Sequence, residues 1–166
     1  ERGVEQREYN GLKYWRYTDD IGTTLRGTVI LFDPSGQRPV RTIPGFPHIK
    51  RVYRLRPGVQ RFFHTNPFFV EEKLDGYNVR LLVHQGQLLA LTRGGFVCPF
   101  TSEWAEIWWQ RYKLGRFFVT YPDYVLFGEV LGDNPYNSQR DPTIPPGLYF
   151  FIFEIIVVLA GFFRGL

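Results

Sequence analysis

The stretch 77–93 constrains the fold more than any other. Two apolar-rich segments, 77–84 and 87–93, are separated only by Gln85-Gly86. So short a connection joins strands as an antiparallel hairpin. Segments 12–18 and 27–33 read as further short strands rich in aromatic and β-branched residues, with Asp33-Pro34-Ser35-Gly36 as the turn after the second. Strands are also expected over 49–55, 124–131 and 148–156, with a proline-punctuated stretch over 39–47. Only 102–114 predicts a helix: Thr101 can cap it, Glu103 suits its positive end, and Gly115 suits its C-terminus. Its stripe of Trp104, Ile107, Trp108 and Tyr112 falls on one face, as core packing would require. The class is α+β.

A chain of 166 residues can bury one real core, or one core and part of a second. Residues 1–66 read as a small β-rich N-terminal module and 67–166 as the start of a second unit, with His64-Thr65-Asn66-Pro67 at the boundary. The single cysteine, Cys98, excludes an intrachain disulfide and fits a reducing compartment, the cytoplasm. It has no Cys or His at metal-ligand spacing, which favours a buried structural thiol. No N-terminal targeting pattern is present. The apolar run 148–163 is shorter than the ~20 residues of a membrane span, and a charge such as Glu154 at its middle costs roughly 2.5–3.5 kcal/mol, so a β-rich core segment is the better reading.

Charge is divided unevenly along the chain. Residues 1–70 carry 12 basic and 6 acidic side chains, whereas 71–166 carry 8 and 10. Between Asp33 and Glu71 there is no acidic residue, and Arg38, Arg41, Lys50, Arg51, Arg54, Arg56 and Arg61 alternate with Phe46, His48, Tyr53, Phe62, Phe63 and His64. Cations for phosphates and flat rings for bases suit a polynucleotide surface, with Lys50, Arg51, Arg54 and Arg56 as the candidate RNA contacts. A solvated basic face is the alternative.

Lys73 opens the sequence Lys73-Leu74-Asp75-Gly76, at the expected end of a strand. An amine attacks phosphorus only when neutral, so a nucleophilic lysine must be brought down from its ordinary value of ~10.4. Phe68, Phe69 and Val70 before it, with Val79, Leu81 and Leu82 after it, could supply a desolvating apolar rim, and Gly76 permits both a turn and a close backbone approach. The same residues also fit a surface lysine before an Asp-Gly turn.

The ordered strings that follow distinguish the two. Glu71-Glu72-Lys73-Leu74-Asp75-Gly76-Tyr77-Asn78-Val79-Arg80 resembles the lysine motif of the covalent nucleotidyltransferases, the ATP-dependent ligases and mRNA capping enzymes. It looks most like the archaeal, circularising ATP-dependent RNA ligases. Thr92-Arg93-Gly94-Gly95 resembles that family's next element, and Phe127-Gly128-Glu129-Val130 its glutamate-bearing strand. Gly132-Asp133-Asn134-Pro135-Tyr136-Asn137 is similar to the loop after it, and Phe150-Phe151-Ile152-Phe153-Glu154-Ile155 to the strand whose aromatic stacks on the base.

The resemblance implies a nucleotidyltransferase antiparallel-sheet domain of the ligase and capping-enzyme type, ATP-grasp-like in fold. It implies ATP and magnesium or manganese as cofactors, RNA ends as partners, and no membrane. It leaves room for a homodimer through regions outside this stretch. Lys73 would be the nucleophile and Glu71 would read the adenine amino group. Asp75 and Gly76 would belong to the nucleotide-binding set, and Asn78 or Arg80 would contact ribose. Many relatives carry the arginine at the position of Asn78; the shift to Arg80 agrees with the archaeal RNA ligases and argues against a DNA ligase. Arg93 would meet ribose or an incoming 5′-phosphate. Glu129 would hold ribose or a metal-bound water, and Phe153 or Phe151 would stack on adenine.

Two elements of that family have no counterpart here, a glutamate-glycine strand and a late strand with α-phosphate lysines; 156–166 contains no lysine. The chain is therefore expected to be the N-terminal part of such an enzyme, or a shortened relative with a substituted tail. The alternatives are a non-catalytic nucleotide- or RNA-binding fragment lacking those lysines, and a GTP-using guanylyltransferase of the capping type.

Overall fold

The computed structural model describes residues 3–47, 52–63, 67, 68, 70–133, 136 and 142–158. Strands β1 (Val4–Tyr9), β2 (Leu12–Tyr17), β3 (Val29–Phe32) and β4 (Pro39–Ile43) form an antiparallel meander in chain order. The turn between β1 and β2 is Asn10-Gly11, both at positive φ (48° and 79°), which matches the right-handed twist of the strands it joins. β1 has no counterpart in the sequence expectations. Its middle is Glu5-Gln6-Arg7-Glu8, a polar run that suits the solvent-lapped edge it occupies.

The second sheet has the order β6-β5-β7-β8, built from β5 (Tyr77–His84), β6 (Gln87–Thr92), β7 (Tyr124–Gly132) and β8 (Leu148–Val157). The expected hairpin is present, with Gln85 and Gly86 at φ 50° and 76° and register Val79↔Thr92 to His84↔Gln87. Segment 148–157 is a strand, as expected, but the expected core burial is corrected: β8 is an edge strand and Phe151 to Ile155 are exposed. No helix among the described residues is long and apolar enough to cross a membrane.

The described residues form three helices where one was expected: α1 (Leu55–Phe62), α2 (Pro99–Arg111) and α3 (Leu114–Thr120). The expected strand over 49–55 is corrected in its described part. Residues 52–54 are irregular, Leu55 opens α1, and Pro57 is tolerated because it lies in the first turn. The helix expected over 102–114 begins three residues earlier, where extended Cys98 precedes Pro99. It stops when Lys113, not Gly115, takes the left-handed conformation, and the chain then continues into α3. The buried face is also rotated from the expected stripe. Thr101, Ser102, Ala105 and Trp108 turn inward, Trp104 is half-buried, and Ile107 and Tyr112 are about half exposed.

Two clusters sandwich the second sheet. On one face Val79, Leu81, Ala90, Leu126 and Val130 pack against Ala105, Trp108, Leu114 and Phe118 of the helices. On the other, Leu82, Leu89, Leu91, Val125 and Phe127 pack against Leu12, Tyr14, Val29, Leu31 and Ile43 of the first sheet. The first sheet therefore shares its core with the second. At ~25 cal/mol per Å² of apolar surface, a face of this size is worth far more than the interstrand ion pairs of the exposed edges.

Candidate active site

The site is assembled where β5 begins. Residues 71–75 are not strand; β5 pairs with β7 only from Tyr77↔Val130 onward. The strand expected to end at Lys73 is thus corrected to a loop at Glu71, Lys73 and Asp75. All three residues are exposed, as are Phe68 and Val70, so the described chain does not supply the apolar rim expected around Lys73. Phe69 lies outside the described residues.

Gly76 anchors this loop. A Cβ there would fall 2.2 Å from the carbonyl oxygen of Val130, so only glycine allows the chain to lie so close to β7. Its N–H donates to Glu129 Oε1 at 3.1 Å, and the Asn78 side-chain amide donates to Glu129 Oε2. Asn78 and Glu129 are direct cross-strand partners, and Phe151 sits opposite Glu129 on its other side. Asn78, Glu129 and Phe151 therefore form one row across β5, β7 and β8 on a single face.

Burial raises the Glu129 carboxyl above its ordinary value; the Gly76 N–H, the Lys73 charge and the Asn78 amide oppose the shift, and Asp75 adds to it. Gly76 and Asn78 thus hold the Glu129 carboxylate against the foot of the Lys73 loop. Phe153 stands at the β-bulge between the pairs Gly128↔Ile152 and Phe127↔Glu154, 53% exposed, while Phe151 is 44% exposed. Simple alternation would have kept the two phenylalanines in step; instead Phe153 is itself the extra, unpaired residue of the bulge. Both rings remain accessible to a planar ligand.

Arg93 follows β6 in the turn Thr92-Arg93-Gly94-Gly95, closed by Gly95 N–H donating to Thr92 O at 2.9 Å. Because Val79 pairs with Thr92, Arg93 comes level with Asn78 and is exposed. Arg80 lies elsewhere than expected. It is fully buried, and its guanidinium donates to the carbonyl oxygens of Pro44 (2.5 Å), Gly27 (2.8 Å) and Thr92 (2.8 Å). Burial lowers its pKa to about 9, which leaves it protonated at neutral pH. It cannot reach a ribose from there, so of the two expected contacts only Asn78 stands in the site. Phe46, expected only as part of the basic-aromatic tract, is brought to the site from the first sheet, its ring 5.1 Å from Phe127 and 6.3 Å from Phe153.

The basic tract divides. Arg54 and Arg56 are exposed at the start of α1, and Lys50 and Arg51 lie outside the described residues. Arg41 is buried and donates to Val83 O (2.9 Å) and Tyr124 O (3.3 Å), so it serves the core. Cys98 is a buried free thiol. Of the loop 132–137, Gly132, Asp133 and Tyr136 are described; the Tyr136 ring lies 4.9 Å from that of Tyr77. Among the described residues no group of three or more His, Cys, Asp or Glu side chains could hold a metal ion. A lone carboxylate such as Glu129 fits magnesium only where substrate phosphates and water complete the coordination.

Comparison with known proteins follows from this geometry. Residues 66–163 match the family model described as RNA ligase. "Uncharacterized protein MJ0414" of Methanocaldococcus jannaschii is 30% identical over 156 residues, 92% of this chain and 37% of its own. A structure described as a proposed ATP-dependent DNA ligase from Aquifex aeolicus superimposes with TM-score 0.80 and 35% identity, over 96% of this chain and 41% of its own. An archaeal ATP-dependent RNA ligase does so with TM-score 0.77 and 37% identity, over 95% and 40%. The chain thus spans about two fifths of the length of these relatives. With the lysine loop, the glutamate strand and the aromatic strand all inside the matched region, the chain belongs to the RNA ligase family.

Proposed function

We propose that this chain carries the nucleotide-activating part of an ATP-dependent RNA ligase, acting in a reducing, cytoplasmic setting. The observation that carries the reading is the convergence of the Lys73 loop on Glu129 through Gly76 and Asn78. Lys73 Nζ, once it has lost a proton to solvent, attacks the α-phosphorus of ATP. The bond to the β-phosphate oxygen breaks, pyrophosphate leaves, and a lysyl-AMP phosphoramidate remains. AMP then passes to an RNA 5′-phosphate, and a 3′-hydroxyl displaces it to seal the strand.

Each of these steps needs in-line placement and charge neutralisation more than covalent help from the protein. Glu129 and Asn78 would fix the ribose hydroxyls, and Phe153 or Phe151 would stack on adenine. Glu71 would accept from the adenine amino group, and Arg93 would hold a phosphate. A magnesium ion, when bound, offsets the charge of the departing pyrophosphate, with Glu129 as the protein's contribution. Arg54 and Arg56, with Lys50 and Arg51, would meet the RNA backbone.

The exposure of Lys73 favours a second reading, nucleotide binding without covalent chemistry. Incubation with α-labelled ATP and magnesium separates them. Label that survives denaturation and disappears in Lys73→Ala supports the ligase reading; ATP binding with no retained label overturns it. Retention of GMP in place of AMP would assign a capping-type activity, and sealing of DNA but not RNA ends would overturn the substrate assignment.

A further inference from the structure

The first sheet enters the candidate site at two points, and one buried cation joins them. The strand-to-loop segment Pro44-Gly45-Phe46 is held by Arg80, whose terminal nitrogens donate to Pro44 O and Gly27 O beside the first sheet and to Thr92 O on the second. Gly45 is fixed as well. Its N–H donates to Thr28 Oγ1 at 3.0 Å, and a Cβ there would lie 2.3 Å from Arg26 O. What the segment presents is the Phe46 ring, edge-on to Phe127 and 6.3 Å from Phe153, with Arg80 5.4 Å from its centroid.

The second point is the Arg93 turn. Arg80 holds Thr92 O, and Gly27 lies so close that a Cβ on it would be 2.0 Å from Arg93 O. Arg16 of β2 donates to Gly94 O at 2.9 Å and lies over the Phe96 ring at 3.7 Å from its centroid. Arg93 and Gly94 thus have their backbone set by residues of the first sheet, and Thr92 is tied to it through Arg80. Neither Phe153 nor Arg93 owes its position to its own sheet alone.

We propose that the first sheet is part of the nucleotide site: Arg80 is a positioning residue that locks Phe46 in place as the backing of Phe153 and fixes the turn that carries Arg93. The proposal rests on the reading of this site as a nucleotide pocket, and it adds the residues that hold the base-stacking ring and the phosphate-binding arginine in register. A ring backed by a second ring keeps its orientation when the ligand leaves. The Arg80 guanidinium donates from two nitrogens set apart in a rigid plane, whereas an ammonium donates from a single point, so Arg80→Lys breaks the link.

The test is equilibrium binding of ATP to the Lys73→Ala protein, which separates binding from covalent chemistry. Phe46→Leu, Phe153→Leu, the double variant and Arg80→Lys are compared in that background, with circular dichroism to confirm folding. Stacking of a base on an aromatic ring is worth on the order of ten-fold in affinity. Phe153→Leu and Phe46→Leu are each expected to weaken ATP by about that factor, and the double variant by no more than the worse single one, because the two rings act as a unit. Arg80→Lys is expected to weaken ATP at least as much as Phe46→Leu.

Additive losses, or ATP affinity within two-fold of the parent in Phe46→Leu, would overturn the proposal. If Arg80→Lys does not fold, the cycle between Phe46 and Phe153 decides alone. The Lys73-intact protein, assayed alongside for retained label, reports on the ligase reading separately: binding without label sinks the covalent chemistry and leaves the outcome of the cycle unaffected.

Discussion

Replacing Gly76 by alanine tests the site through a single methyl group. The new Cβ would sit 2.2 Å from Val130 O, 2.7 Å from Leu131 Cδ2 and 3.0 Å from Glu129 Cγ. The first neighbour is backbone of a paired strand and cannot rotate away, whereas ordinary contact begins near 3.4 Å. The Lys73 loop and β7 must therefore part by on the order of 1 Å. Gly76 is not among the positive-φ glycines, so alanine meets no backbone strain and the whole effect is displacement. The displacement stretches the hydrogen bond from Gly76 N–H to Glu129, which is 3.1 Å long, and moves Lys73 relative to Glu129.

An overpacked contact of this kind costs roughly 1–3 kcal/mol of stability. A shift of about 1 Å in a positioned nucleophile costs on the order of 100-fold in rate. The assay is single-turnover formation of labelled protein from α-labelled ATP, with urea unfolding run in parallel. Gly86→Ala is the control. Gly86 lies at the far end of the same strand at φ +76° with nothing near its Cβ position, so its left-handed backbone costs about 1–2 kcal/mol but leaves the labelling rate unchanged. A folded Gly76→Ala protein that labels within about three-fold of wild type would refute the role of this close approach.

Three further outcomes are expected. Trp108 is fully buried, donates from Nε1 to Leu148 O at 3.1 Å and stacks on Phe150 at 5.5 Å, so Trp108→Ala should cost about 3–5 kcal/mol in urea unfolding. Burial pulls the His84 imidazole below its ordinary value of 6.5; the Phe32 carbonyl opposes the shift and the Arg41 charge adds to it. Its contribution to stability is therefore complete above pH 6.5 and lost as pH falls through the lower folded-state value, a decline in urea-unfolding stability that His84→Gln should flatten. Arg54→Ala and Arg56→Ala should each weaken RNA binding without regard to sequence and reduce the slope of log affinity against log salt by about 0.7; an unchanged slope would remove α1 from the RNA interface.

Local signals in the sequence make much of this structure readable. The β5–β6 hairpin followed from two apolar runs around Gln85-Gly86, and the positive φ at both residues explains why so short a loop works. The lysine, arginine, glutamate and aromatic strings were legible as motifs because their spacing lies in one stretch. What the sequence hid depends on partners far away along the chain. Arg80 looked like a ribose contact because nothing local shows that Gly27 and Pro44, 53 and 36 residues earlier, would receive its donors.

The rotated face of α2 has the same origin. Thr101 turns inward to share a hydrogen bond with the Tyr77 hydroxyl at 2.9 Å, which draws Ala105 and Trp108 inward and leaves Ile107 outside. β1 escaped detection because an edge strand with Glu5, Gln6, Arg7 and Glu8 shows no apolar period. The bulge at Phe153 likewise depends on β7, where Gly128 lets the two strands approach; a Cβ there would meet Phe150 and Phe151.

The unequal topology of the two sheets sets an order of events in folding. The first sheet pairs neighbours in sequence throughout, so each hairpin closes a short loop. In the second, β5 must find β7 across β6, α2 and α3, a slower closure. Arg80 can bridge Pro44, Gly27 and Thr92 only after both sheets have formed and met, so its contacts belong late on the folding route. Variants at Arg80 should accordingly hasten unfolding in a chevron measurement while leaving the refolding limb nearly unchanged. A cation that registers the meeting of two sheets would make the lifetime of the folded state, more than the speed of reaching it, depend on that one side chain.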